Sequence, residues 1–275
     1  MLILQNQLEL TDVIMPNMPW RKDVGLSIID HIGRTGQFPC LFAQHASRNK
    51  RLVFSFVDDL SKASIMKSAS DLVDYLERAA SWDGSPATAE PLVMAFHPER
   101  VAAPSVAGYH QIAWNVLQFW HDVDPAPWPA TVARDPHMPY WSMCFLGVQI
   151  FVNISNPAHR QRRSRNLGPA LTLIINPRER FDRVAGDTPS GRKIRQKIRE
   201  RIEAYDGMAH SPTLGRYEAG EIEWWQYGLM EFNELRTDRC PFKTRAGATL
   251  DGAEQPKAIP AASTCQASHQ ASHNG

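Results

Sequence analysis

The alternation of apolar and polar positions divides the chain into helices and strands. Apolar residues at helical spacing predict helices over residues 20–36, 61–82, 108–124, 190–207 and 221–235. Continuous apolar runs predict strands over residues 51–59, 90–98, 141–155 and 170–177. The third run is predicted to be a hairpin or a long bent strand around Gly147. The Pro-rich residues 125–141 predict a loop.

Residues at the ends of these runs set several boundaries. The second helix is expected to start near Ser61, and Gly207 is expected to end the helix of residues 190–207. The inner stripe of that last helix is predicted to be Ile194, Ile198, Ile202 and Tyr205. Helices and strands alternate, but the hairpin and the long loops break a strict βαβ series. We therefore expect a single mixed α and β domain of the α+β class, with a central sheet of about four to six strands packed by helices.

The last thirty residues differ in composition from the rest. Residues 246–275 are rich in Ala, Ser, Gln and Pro and hold almost no large apolar side chains. Such a segment cannot bury enough apolar surface to offset its ordering entropy. We expect residues 1–245 to form the functional domain and residues 246–275 to be a disordered tail.

The overall composition limits the classes of function. The net charge of +1 provides no overall attraction to nucleic acid or to a membrane surface. No apolar run approaches the ~20 residues needed to span a bilayer, and the N-terminus lacks the basic start of a signal peptide. Four cysteines without a CxxC pair argue against a zinc ribbon or an iron–sulfur cluster. A cytoplasmic protein with reduced thiols is expected.

The charge is unevenly distributed, and residues 156–201 carry eleven Arg and two Lys against four acidic residues. The stretch "NPAHRQRRSRNLG", residues 156–168, begins with an N-cap residue and a proline, which predicts a short helix. His159 would lie in its first turn, with Arg162 and Arg163 on the same face. This helix would have almost no apolar residues, so packing alone would not hold it.

Three interpretations of the basic stretch are open. It can be a solvated basic face, a phosphate-binding surface for nucleic acid, or a site for a cofactor that carries both a metal and anionic groups. The positive end of the helix dipole would keep His159 neutral and available as a ligand. Neighbouring arginines can pair with carboxylates. Haem b combines an iron that accepts an axial ligand with two propionates.

Five short motifs, in this order, resemble the YqcI/YcgG family of haem-dependent amine and guanidine N-hydroxylases. Each motif alone is weak, but together they span residues from about 20 to 245. They are "FPCLFA" (38–43), "NPAHRQRRSRNLG" (156–168), "NPRERFD" (176–182), "IRERIEAYD" (198–206) and "CPF" (240–242).

The resemblance implies haem b as cofactor, oxygen or hydrogen peroxide as oxidant, and conversion of L-arginine to N-omega-hydroxy-L-arginine, as in D-cycloserine biosynthesis. It favours His159 as the iron ligand, with Arg162, Arg163 and Arg165 as partners of the haem carboxylates. The implied partners are L-arginine or a related guanidine, with no nucleic acid and no membrane. If the protein forms an oligomer, we expect a homodimer.

Other side chains are candidates for roles near the haem. His110 and His121, on the predicted helix of residues 108–124, are the candidates for a distal catalytic proton donor. Alternatives to His159 as ligand remain open. They are the histidines His45, His110, His121 and His137 and, ranked behind histidine, the thiols Cys40 and Cys240.

A guanidinium substrate requires a carboxylate that can bind it in a bidentate manner. Glu223 is the first choice among three glutamates around "WWQY", the others being Glu221 and Glu231. Arg178 or Arg165 would then bind the substrate carboxylate. Two alternative functions remain, namely the same chemistry on another guanidine or primary amine, and a haem sensor or carrier without turnover.

Overall fold

The computed structural model describes residues 1–10, 19–33, 37–215 and 220–245. These residues contain a six-stranded mixed sheet in the order β1-β2-β3-β6-β5-β4. Its strands are β1 (Ile3–Leu4), β2 (Val53–Val57), β3 (Leu92–Phe96), β4 (Met143–Phe145), β5 (Val148–Ser155) and β6 (Thr172–Pro177). Strands β2 and β3 are parallel, and the other neighbouring pairs are antiparallel. The mixed α+β class and the hairpin at Gly147 are confirmed.

Eight α-helices are found in the described residues. They are α1 (Gln5–Leu10), α2 (Pro19–Gly33), α3 (Leu41–Arg48), α4 (Lys62–Ala79), α5 (Val106–Val123), α6 (Glu179–Ala185), α7 (Pro189–Asp206) and α8 (Trp224–Tyr227). The Ser61 hydroxyl caps α4, and Gly207 ends α7 with a φ of 70°, both as predicted. The predicted end of α2 at Gly36 and the predicted tail of residues 246–275 lie outside the described residues.

The sheet has helices on both faces. One face packs against α4 and α5 in a core that includes Tyr75, Trp114 and Trp120. The other face packs against α1, α2 and α3 around Phe54 and Phe56. Among the described residues, no helix is both long enough and apolar enough to cross a membrane.

The predicted helix over residues 156–168 is wrong. The stretch forms turns and one short 3₁₀ segment, Arg163–Arg165. Some of its backbone N–H groups bond to carbonyls two or three residues back, and others bond to side-chain oxygens. Glu231 accepts from the N–H groups of Arg160 and Gln161, and Asp206 accepts from that of Ser164. Carboxylates brought by distant segments therefore replace the helical hydrogen bonds.

The predicted helix over residues 221–235 is also wrong, because only the four residues of α8 are helical. Arginine side chains donate hydrogen bonds to backbone carbonyl groups that would accept from backbone N–H groups in a longer helix. Arg165 donates to the carbonyls of Gln226 and Tyr227, and Arg162 donates to that of Met230. The segment instead lies beside β5, where the Tyr227 hydroxyl donates to the Ile150 carbonyl at 2.8 Å.

Candidate functional site

A cavity of about 320 Å³ lies between the second face of the sheet and helices α3, α6 and α7; we call it the sheet-face cavity. Strand alternation decides which residues line it. Phe151, Asn153 and Ser155 of β5 face the cavity, whereas the intervening Val152 and Ile154 are fully buried in the other core. Ile174 and Asn176 of β6 also line it. Its size is in the range of small-molecule and cofactor sites.

Four of the five motifs meet at the sheet-face cavity, although they are far apart in the sequence. The first contributes residues 38–40, 42 and 43, and the second contributes Ser164, Arg165 and Leu167. From the third and fourth come Asn176, Arg178, Arg180, Phe181, Asp182, Ile198, Arg199 and Ile202. Because Ile198 and Ile202 face this space, the predicted inner stripe of α7 is only half-buried.

Five arginines line the cavity against one carboxylate, Asp182. They are Arg165, Arg178, Arg180, Arg195 and Arg199. Arg180 donates to the Tyr75 hydroxyl and the Glu90 carbonyl, and Arg199 donates to the Leu214 carbonyl. These acceptors are neutral. Arg178 and Arg195 pair with carboxylates outside the lining, Glu223 and Asp187. The remaining arginines still give the cavity an excess of positive charge that suits an anionic ligand.

Arg165 is one of the most buried of these cations. Its side chain is buried, with backbone carbonyls as hydrogen-bond partners at 3.0 and 3.2 Å. Burial and, to a lesser extent, the nearby charge of Arg162 lower the pKa of Arg165 to about 9. The Nε atom of Arg180, also a buried side chain, has no hydrogen-bond partner. An anion in the cavity would offset the cost of burying these charges.

Cys40 lines the same cavity at the N-cap position of α3. Its Sγ atom accepts a hydrogen bond from the Ala43 backbone N–H at 3.4 Å. Burial raises the pKa of the thiol, while the N–H groups of Ala43 and Phe42 and the charges of Arg165 and Arg201 lower it. Among the described residues that line the cavity there is no histidine.

His159 lies outside this lining, in a second buried cluster. Its Nδ1 is 2.7 Å from Oε2 of Glu231, and its Nε2 has no hydrogen-bond partner. The His110 ring is 6.1 Å away between centroids, and its Nε2 is also unpaired. Burial lowers the pKa of His159 to about 4 and that of His110 to about 3, so both rings are neutral at pH 7. In the described part of the chain, no group of three or more His, Cys, Asp or Glu could hold a metal ion.

The other histidine candidates are separated from this cluster. His121 is eleven residues from His110, about 16 Å along α5, and its Nε2 accepts from the Arg245 N–H. His45 is exposed and pairs with Asn49. His137 Nε2 accepts from the Cys240 N–H. Of the two candidates for the catalytic proton donor, His110 and His121, only His110 is therefore near His159.

The two arginines predicted to share a face with His159 point in different directions, because the helix is absent. Arg162 is fully buried and donates to Met230 and Asn233, with Nη1 unpaired. Arg163 is exposed, donates to the Tyr205 carbonyl and lies over the Tyr205 ring. Of the predicted cofactor arginines, Arg165 alone lines the sheet-face cavity.

The two predicted substrate-binding residues bind each other. Arg178 forms an ion pair with Glu223, whose side chain is fully buried and also accepts from Ser142 and Tyr227. Burial raises the pKa of Glu223 to about 7, and Arg178 opposes this shift. Glu223 does not line the cavity, whereas Arg178 does. The carboxylate at the cavity is Asp182, 3.4 Å from Arg178.

Asn153, Asn176 and Asp182 line the cavity but were not among the residues predicted from the sequence. A usable signal was present in "VQIFVNIS", where polar side chains occupy alternate positions of a strand otherwise buried. The same alternation continues through Asn176 and Arg178. Polar residues on the interior face of a strand indicate a ligand site.

The model of the YqcI/YcgG family matches residues 28–243 of this chain. The DcsA protein of Streptomyces lavendulae, named as a candidate N(omega)-hydroxy-L-arginine synthase, is 49% identical over 226 residues, covering 82% of this chain and 85% of that protein. YqcI of Bacillus subtilis (strain 168) is 31% identical over 227 residues, covering 81% of this chain and 87% of YqcI. No solved structure shows significant similarity. The chain therefore belongs to the YqcI/YcgG family.

Proposed function

We propose that the protein is a haem-dependent N-hydroxylase that converts L-arginine to N-omega-hydroxy-L-arginine. The main support is the convergence of four family motifs on one cavity lined by apolar side chains and an excess of arginines. The relative named for this product, 49% identical, supports the choice of substrate. Such products are used in the biosynthesis of antibiotics such as D-cycloserine, and we propose that setting here.

Haem b fits the residues of the sheet-face cavity. Phe38, Phe42 and Phe181 supply apolar surface for a macrocycle. Arg165 and Arg180, which are buried against neutral acceptors, would bind the propionates. When bound, haem would supply an iron centre at which an oxidant is activated.

Two side chains are the candidates for binding the iron. His159 is neutral and has an unpaired, buried Nε2, while its Nδ1 is held by Glu231. Cys40 lines the cavity and receives a backbone hydrogen bond at Sγ. Arg162 remains a candidate for a haem carboxylate through its unpaired Nη1, whereas the exposed Arg163 is the weakest of the predicted arginines.

Polar residues on the cavity walls would orient the substrate. Asp182, 3.4 Å from Arg178, is the carboxylate among the described residues that line the cavity, and it would bind the guanidinium in place of the buried Glu223. Asn153 and Asn176 on the sheet would accept and donate hydrogen bonds to the amino-acid end of the substrate. We expect Asp182→Asn to raise the KM for L-arginine with a smaller effect on kcat.

The proposed reaction replaces one guanidino N–H by N–OH. With hydrogen peroxide as oxidant, one oxygen atom goes to nitrogen and the other leaves as water. With dioxygen, an external donor must supply two electrons, and two protons complete the water. The chain's own part is to bind the cation, exclude water and hold the reacting nitrogen in position.

The test is to load the purified protein with haem and supply L-arginine with peroxide, or with oxygen and a reductant. Mass spectrometry should find a product heavier by one oxygen atom. Turnover of another guanidine or a primary amine, with arginine left unchanged, would redirect the proposal to that substrate. A protein that binds haem and returns every amine unchanged would be a sensor or carrier.

A further inference from the structure

The sheet-face cavity contains one side chain of a kind that commonly binds haem iron. Axial ligands in haem proteins are histidine, cysteine, methionine and tyrosine. Of these four residue types, Cys40 is the single representative among the described residues that line the cavity. The choice of ligand is therefore set by which side chains the fold brings to the cavity.

Burial raises the pKa of the Cys40 thiol above its usual value, and the local structure opposes that rise. Cys40 stands at the start of α3, where the positive end of the helix and the Ala43 N–H face Sγ. Arg201 donates to the carbonyls of Phe38 and Pro39, which fixes the two residues before Cys40. The backbone N–H groups and two arginines offset part of the cost of a negative sulfur in this buried position, and a bound metal ion deprotonates a thiol that coordinates it.

We propose that Cys40, as a thiolate, is the axial ligand of haem bound in the sheet-face cavity. This inference rests on the proposed function, because it specifies how the proposed cofactor is held. His159 is assigned a different role, in which its Nδ1 and Glu231 join the turn after β5 to the segment after α8. A thiolate ligand increases electron density at the iron and favours O–O cleavage.

Two other cysteines provide matched controls. Cys240 also stands next to a proline and near an aromatic residue, yet it does not line the cavity. Cys144 is buried in the opposite core. Neither is expected to reach the cofactor.

The test compares the haem-loaded wild-type protein with Cys40→Ser, Cys40→His, Cys240→Ser and His159→Ala. The readouts are haem content, the reduction potential, and the absorption of the ferrous carbonyl complex, whose Soret band is red-shifted by a thiolate ligand. Wild type, Cys240→Ser and His159→Ala should show the red-shifted band. Cys40→Ser should lose it, and Cys40→His should retain haem with an imidazole-type spectrum and a higher potential.

The outcomes separate this inference from the proposed function. A wild-type spectrum without the thiolate signature, unchanged in Cys40→Ser but lost in His159→Ala, would overturn Cys40 as ligand and leave haem-dependent hydroxylation standing. A wild-type protein that takes up no haem would overturn both. Circular dichroism of each variant establishes that it is folded, and Cys40→His keeps the test valid if Cys40→Ser does not fold.

Discussion

At the scale of single residues, the main chemical feature is a set of buried ionisable groups whose environments shift their pKa values. His110 and His159 are held neutral by burial, and Glu223 is held close to its midpoint at neutral pH despite its partner Arg178. The two histidines affect stability in acid, because the unfolded chain binds their protons at a higher pH than the folded chain does.

We expect the free energy of unfolding to fall as the pH drops from 6.5 towards 4. The loss from His159 is roughly 3 kcal/mol at about 1.4 kcal/mol per pKa unit. His110→Gln should show a shallower decline, because one of the two buried histidines no longer titrates. Urea unfolding at several pH values measures this. His45→Gln, at an exposed site, is the control and should follow the wild type; a His110→Gln curve that does so as well would contradict the expectation.

The sequence predicted individual site residues less well than it predicted elements. The sequence singled out His159 and Arg165 as candidate haem-binding residues; both are buried, and their roles stay predictions. Their partners, Glu231 and the carbonyls of α8, come from more than sixty residues away. Spacing along the chain does not contain such pairings, so the sequence could not reveal that Glu223 and Arg178 bind each other.

Among the helices and strands, a strong apolar periodicity predicted the element correctly, whereas a weak one did not. The stripes of α4, α5 and α7 and the apolar runs of β2, β3, β5 and β6 predicted these elements correctly. The two failed helices, 156–168 and 221–235, lie where arginine and carboxylate side chains satisfy the backbone groups. Helix propensity there is overridden by tertiary hydrogen bonds.

A substitution at the junction of α6 and α7 is expected to affect both stability and haem binding, because α7 forms a wall of the cavity. A Cβ added at Gly191 would lie 2.1 Å from the Gly186 carbonyl oxygen, a backbone atom that cannot rotate away. Gly191→Ala should cost about 1–3 kcal/mol and reduce haem retention. Gly33→Ala is the control, since nothing lies within 4 Å of its added Cβ. Equal thermal midpoints and haem contents for the two variants would contradict this account.

At the scale of the whole molecule, the last described residues return to α5 and complete its core. The Phe242 ring packs in an aromatic cluster with His121, Trp128 and Trp141. The Arg245 N–H donates to His121 at 2.8 Å, across 124 residues of sequence. The fold therefore depends on residues 240–245.

Two truncations test this dependence. A chain ending at Arg245 should match the full-length protein in stability and haem content, since residues 246–275 hold almost no large apolar side chains beyond Leu250 and Ile259. A chain ending at Arg239 should lose on the order of 3–5 kcal/mol, as expected for removing a buried Phe. Chemical denaturation compares them. Destabilisation by the shorter deletion would show that residues 246–275 contribute to the folded domain.

Haem is proposed to occupy the sheet-face cavity, so a side chain that fills the cavity should prevent haem uptake. Ile174 of β6 lines the cavity, and Val148 at the start of β5 is 37% exposed outside it. In a measurement of haem stoichiometry, we expect wild type and Val148→Trp to take up haem equally, whereas Ile174→Trp, with its larger side chain in the cavity, should take up far less. Full haem uptake by a folded Ile174→Trp variant, or none by the wild type, would contradict this proposal.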